Sequence, residues 1–139
     1  MLYICLHGTQ PRLHQPYRLD PVIACSNDPM LGGDPTRPNP EDLLLSSLSA
    51  CHMLWYLHLA SSAGIVVVHY EDSPFGQGET ASNGAGRFLS ATLRPRVKVR
   101  AGADLAKADA LHHEVSNYCF IARSVNFPIK YEATYEQVA

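Results

Sequence analysis

The segment from Asn39 to Gly64 constrains this chain more than any other. Asn39 suits an N-cap and Pro40 a first helical position, while Glu41 and Asp42 put negative charge in the first turn, where the helix dipole favours it. Asn39 and Asp42 make a near-match to a capping box. From Leu43 to Ser62 there is neither Gly nor Pro, and Gly64 stands where a left-handed C-cap is expected. The spacing predicts a helix over 40–62. Leu43, Leu44, Leu45, Leu48, Cys51, Met53, Leu54, Trp55, Tyr56, Leu57 and Leu59 do not fit on one stripe, so this helix has no wet face and must be covered on every side. Ser46, Ser47, Ser49, His52 and His58 interrupt it, no unbroken apolar run reaches the roughly 20 residues of a bilayer span, and no membrane role is expected. A chain of 139 residues has little else to cover such a helix. A second copy of the chain is the expected cover, and a homodimer follows.

The remaining elements are short. Six prolines between Pro11 and Pro38 exclude a long helix from the first 38 residues, where Tyr3–Leu6 and Val22–Ala24 are the best strand fragments and 27–38 reads as loop. Ile65–Tyr70 is a β-branched run. Ser73–Gly86 reads as a loop or hairpin tip. Arg87–Arg100 is extended, with Val97 and Val99 alternating against Arg96, Lys98 and Arg100, and Pro95 suggests an edge or a bulge. Asp104 caps a second helix, expected to continue to about Val125 with Leu105, Ala108, Leu111, Val115, Tyr118 and Cys119 on one stripe. Phe127–Gln137 closes the chain as a strand. The order β-β-α-β-β-α-β indicates one α+β domain over 1–139 with a mostly antiparallel sheet.

Charge and cysteine content narrow the function. Eleven Lys and Arg against thirteen Asp and Glu leave no basic block to neutralise phosphates, so nucleic acid is not an expected partner. The start, MLYICLHG, lacks the basic and long apolar regions of a secretory signal, and a cytoplasmic location is expected. There, Cys5, Cys25, Cys51 and Cys119 are not expected to form structural disulfides. No CxxC pair or zinc-ligand spacing is present, and neither metal nor cofactor is expected; a His52, His58 and His112 metal set is the remote exception.

Cys51 and Cys119 have two readings. As small buried hydrophobes they are packing; as mid-helix residues facing each other they are a redox pair. His52 points about 100° away from Cys51, and His112 lies two turns from Cys119 on what reads as partly solvated surface, so a Cys–His dyad is not supported. An Arg would lower the thiol pKa and donate hydrogen bonds to peroxide oxygens; Arg12, Arg18 and Arg37 are candidates. Glu41 is a helix-dipole partner by default. Ten residues of helix put it about 15 Å from Cys51, so in a shared site it would come from the other subunit.

Asn39-Pro-Glu-Asp-Leu-Leu followed by Ser47-x-Ser49-Ala50-Cys51-His52, then Gly64-Ile65-x-Val67 and Asn117-Tyr118-Cys119-Phe120-Ile121-Ala122-x-Ser124, resembles the OsmC/Ohr family of osmotically induced and organic-hydroperoxide-resistance proteins. The resemblance covers roughly residues 20–138. It implies antiparallel sheets wrapped around long central helices in an intertwined homodimer. It implies a thiol peroxidase acting on alkyl and fatty-acid hydroperoxides, with Cys51 the peroxidatic thiolate, Cys119 the resolving thiol and Glu41 orienting a catalytic Arg. Arg12, in Arg12-x-His14, is the nearest counterpart, with Arg37 and Arg18 behind it. An external dithiol, of lipoyl type in the family, would reduce the disulfide. An apolar wall of Leu48, Leu54, Trp55 and Phe120 would favour organic hydroperoxides. The alternative is a dimeric protein that binds a small hydrophobe without turnover.

Overall fold

A computed structural model describes residues 2–4 and 22–139. The chain forms two compact units, 1–44 and 45–139. In the first, β1 (Leu2–Ile4) pairs antiparallel with β2 (Ile23–Cys25). The following loop is organised by its own polar side chains. Ser26 Oγ accepts from Asp34 N at 2.8 Å, and Asp28 Oδ1 accepts from Met30 N at 2.7 Å. α1 (Pro40–Ser62) begins here. The near-match to a capping box is a working one: Asn39 Oδ1 accepts from Asp42 N at 2.7 Å, and Asp42 Oδ2 accepts from Asn39 N at 3.1 Å.

The second unit holds the rest of α1, two three-stranded sheets and α2 (Leu105–Val115). One sheet has the order β3-β6-β8, from Val67–Glu71, Arg96–Arg100 and Thr134–Val138; the other has the order β4-β5-β7, from Phe75–Thr80, Gly86–Leu93 and Ile129–Tyr131. Each sheet contains one antiparallel pairing (β3 with β6, β4 with β5) and one parallel pairing (β6 with β8, β5 with β7). The architecture is α+β, as the element order implied.

Several elements differ from the expectation. The segment 73–86, expected as a loop or hairpin tip, holds both β4 and the tip that joins it antiparallel to β5. Its glycines are poor strand formers, but a Cβ at Gly76 would stand 2.3 Å from the Phe88 ring, so glycine is what allows β4 to lie against β5. The extended stretch 87–100 is two strands in different sheets, split at Arg94–Pro95. Pro95 therefore marks a crossing between sheets, and β6 is a central strand, not an edge. The terminal strand is likewise two strands, β7 and β8. The second helix ends at Val115, short of Cys119, and a separate 3-10 turn follows at Ala122–Ser124.

β6 keeps its alternation. Val97 and Val99 are buried, while Arg96 pairs with Glu71 and Lys98 with Glu136, both at 2.7 Å, on the wet face. Two apolar clusters form the core. Tyr56, Ala60, Ile65, Val97, Val99, Ala108, Leu111, Val115 and Cys119 build one, and Leu48, Ala91 and Leu93 the other. Ile121 and Ala122 pack against both. α1 feeds both clusters from one stripe, Leu48, His52, Tyr56 and Ala60, repeating every four residues. By length and mean hydropathy of 1.3 it reaches the range of a membrane span, although Ser46, Ser47, Ser49, His52 and His58 interrupt the apolar run. Outside the buried stripe the described residues cover α1 only in part: Leu43, Met53 and Leu57 are half-buried and Leu54 is 63% exposed.

His112, expected on the surface, is buried. Its Nδ1 lies 2.7 Å from His52 Nε2 across the core, and each residue is 1% exposed. Burial pushes His52 down to about 4; burial, then the neighbouring His52 and His113, push His112 down to about 3. The fold therefore favours two neutral rings. Above the unfolded value near 6.5 that preference costs nothing, and as pH falls below it the unfolded chain binds protons the folded chain refuses. Stability should decline on acidification from about pH 6.5 toward 4. In urea titrations across that window, His52→Gln/His112→Asn should show a pH slope smaller by up to about two protons; an unchanged slope would refute the assignment. Gly64 closes α1 with φ +76 and open space around its Cβ position. Gly64→Ala should cost about 1 kcal/mol and a few degrees of Tm, read by thermal melting.

Candidate functional site

α1 and the turn after α2 place two thiols together. Cys51 sits mid-helix, half-buried, against the larger apolar cluster. Cys119 lies inside that cluster with no exposed surface. Its backbone N–H donates to Val115 O at 2.8 Å, so one last helical turn carries it past the end of α2. Both sulfurs are free thiols. Burial, then the adjoining Cys51 thiol through hydrogen bonding, push the Cys119 thiol up to about 11. The Ala122 N–H donates to Cys119 Sγ at 3.4 Å and works the other way, favouring a thiolate there. The pair is therefore asymmetric. One thiol is reachable from outside; the other is enclosed and held protonated.

The surroundings are aromatic and apolar. Trp55, one turn after Cys51, stacks on Tyr118 with centroids 5.1 Å apart and planes 27° apart. Leu54, Tyr118 and Phe120 are exposed nearby in sequence. Leu48, expected in the same wall, is 1% exposed and belongs to the smaller core cluster instead. Tyr131 on β7 lies on the other side. Its hydroxyl pKa is raised by burial first and then by Cys119. Ser49, two residues before Cys51, donates to Asp72 Oδ2 at 2.5 Å, and Asp72 Oδ1 accepts from Arg94 N at 2.7 Å. That chain of bonds ties the Cys51 turn of α1 to the ends of the strands.

The other residues singled out from sequence lie elsewhere. Arg12, Arg18 and Cys5 fall outside the described residues. Arg37, in the first unit, is held by Asp34, with Nε 3.1 Å from Oδ2. Glu41 is exposed in the first turn of α1. Cys25 is buried in the first unit and donates to Ile23 O at 3.6 Å. Of the three histidines weighed as ligands, His52 and His112 bond to each other, and His58 stands edge-on to Trp55 at 5.7 Å. No group of three metal-ligating side chains occurs among the described residues. Sequence reasoning missed Tyr118, Tyr131 and the inward His112. Adjacency to Cys119 was a signal for Tyr118, and helical spacing from Ala108 and Val115 was one for His112; nothing local signals Tyr131.

Comparison with known proteins agrees with this architecture. A family model described as OsmC-like protein matches residues 32–134. Among solved structures, an OsmC-like protein of unknown function from Vibrio cholerae is 28% identical, with a TM-score of 0.74 over 82% of this chain and 78% of that one. An organic hydroperoxide resistance protein from Legionella pneumophila is 16% identical, with a TM-score of 0.65 over 86% and 83%. Another from Bacillus subtilis is 22% identical, with a TM-score of 0.60 over 81% of each chain. Among curated proteins none matches. With the family model spanning most of its length and its α+β arrangement shared with these structures, the chain belongs to the OsmC-like protein family.

Proposed function

We propose that this protein is a thiol-dependent peroxidase that reduces organic hydroperoxides, working in the cytoplasm as a homodimer. The observation that carries the reading is the asymmetric thiol pair, Cys51 accessible and Cys119 enclosed beside it. The Cys51 thiolate attacks the distal peroxide oxygen. The O–O bond breaks, the alkoxide takes a proton and leaves as the alcohol, and Cys51 becomes a sulfenic acid. Cys119 sulfur then attacks Cys51 sulfur. The S–O bond breaks, hydroxide leaves with the Cys119 proton as water, and a disulfide remains. An external dithiol, of lipoyl type in the family this chain resembles, restores both thiols by exchange.

A high thiol pKa suits the resolving role. A protonated Cys119 is a weak nucleophile toward peroxide, yet it brings the proton that the departing hydroxide requires. The Ala122 N–H stabilises the sulfur as that proton leaves. Arg12 remains the proposed guanidinium partner of Cys51, oriented by Glu41 of the second subunit. Leu54, Trp55, Tyr118 and Phe120 present the apolar contact that an alkyl or aryl hydroperoxide needs and hydrogen peroxide does not. Several known proteins of this fold are named for organic hydroperoxide resistance, which supports the same substrate class. The half-covered apolar residues of α1, with Leu54 exposed, support the dimer.

The exposed apolar side chains around the thiols equally suit a protein that holds a hydrophobe without turning it over. Thiol titration separates the two. One equivalent of cumene hydroperoxide should remove two thiols per chain in the wild type; no loss favours the binder. Cys51→Ser should abolish hydroperoxide consumption, and a variant that retains it rules out the peroxidase. Cys119→Ser should still consume one equivalent, stopping at a sulfenic acid that dimedone traps.

A further inference from the structure

The buried histidine pair joins the two elements that carry the thiols. His52 follows Cys51 on α1. His112 lies on α2, three residues before Val115, whose carbonyl receives the Cys119 N–H. The two rings are within 4° of parallel with centroids 5.0 Å apart, which is the geometry of an in-plane N–H···N bond at 2.7 Å. Each ring is covered by an aromatic face. Tyr131 stacks on His52 at 4.6 Å, and Tyr56 stacks on His112 at 4.0 Å with planes 11° apart.

The bond makes a specific demand. One ring nitrogen of the pair donates and the other accepts, so a single proton sits between two neutral imidazoles. The outer nitrogens, His52 Nδ1 and His112 Nε2, are buried with no hydrogen-bond partner among the described residues. Neither ring therefore has an alternative bond to fall back on, and separating the rings would leave two more buried polar atoms unsatisfied. The pair resists sliding or rotation of α1 against α2 in a way that apolar packing at the same place would not. His52 points about 100° from Cys51 around the helix, and Tyr131 covers its ring face.

We propose that the His52–His112 bond is a positioning clamp for the thiol pair, fixing α1 against the Cys119 turn in the register at which a Cys51–Cys119 disulfide closes without distortion. The inference rests on the reading of these two thiols as a redox pair. Disulfide geometry is narrow: Cα atoms must stand about 4.4–6.8 Å apart with a dihedral near 90°. A shift of the helix by a fraction of an ångström changes how easily the bond forms.

The equilibrium with glutathione tests this without any peroxide. Oxidised glutathione accepts two electrons from the pair. Its S–S bond breaks, the Cys51–Cys119 bond forms, and both thiol protons end on two glutathione molecules. The measured quantity is the effective concentration of one protein thiol toward the other, with folding followed by Trp55 fluorescence. His112→Leu removes the bond, and His112→Gln keeps an amide but carries it past the Nδ1 position; each should lower the effective concentration roughly threefold to tenfold. His112→Asn places an amide where Nδ1 was and should stay within about twofold of the wild type. An unchanged equilibrium in folded His112→Leu or His112→Gln overturns the clamp. An equal fall in all three variants also overturns it, because the covered ring and not its bond would then be responsible. A wild-type chain that forms no Cys51–Cys119 disulfide at all defeats the redox reading itself.

Discussion

The structure depends on one buried stripe of α1. Leu48, His52, Tyr56 and Ala60 recur every four residues, and each meets a different surface. Leu48 enters the cluster under β5 and β7, while Tyr56 and Ala60 enter the cluster under β6 and α2. His52 stands between them and reaches α2 through His112. The helix is thus the shared wall of two small cores. Cys51 sits beside that wall, and the segment Cys119–Ala122 crosses from one core to the other. The thiols meet because both are anchored where the two clusters join.

That location decides their chemistry. Cys119 is surrounded by apolar atoms and gains little solvation, so its charged form is penalised. Cys51 keeps partial access from the face it shares with Leu54 and Trp55. The two cysteines thereby differ in access to solvent, and burial together with the neighbouring Cys51 thiol holds the proton on Cys119. The helical turn that carries Cys119 beyond α2 adds a backbone N–H aimed at its sulfur, which is a small counterweight to the loss of water.

Much of the architecture was legible in the chain. The Pro40–Ser62 helix followed from Asn39, Pro40, Asp42 and Gly64, because capping and termination are local events with local residue requirements. β6 followed from the strict alternation of valine with charge. The strands that were misread depend on distant partners. β4 has glycine at Gly76 and Gly78 because β5 packs closely, and nothing within the segment signals that. The split at Pro95 was visible, but its meaning, a move from one sheet to the other, depends on where β7 and β8 pair. His112 lies on the stripe of Ala108, Leu111 and Val115 but reads as surface because it is a polar type next to His113; the ring that receives it lies 60 residues earlier.

The sequence by itself determined the helix, the α+β class and the residue types available for thiol chemistry, since these rest on periodicity, caps and side-chain identity. The tertiary structure alone decided that Cys119 is enclosed while Cys51 is reachable, that Leu48 is core and not wall, and that two histidines far apart in the chain share one proton. Burial and pairing are properties of what surrounds a residue, and that environment is assembled from segments whose local patterns carry no record of one another.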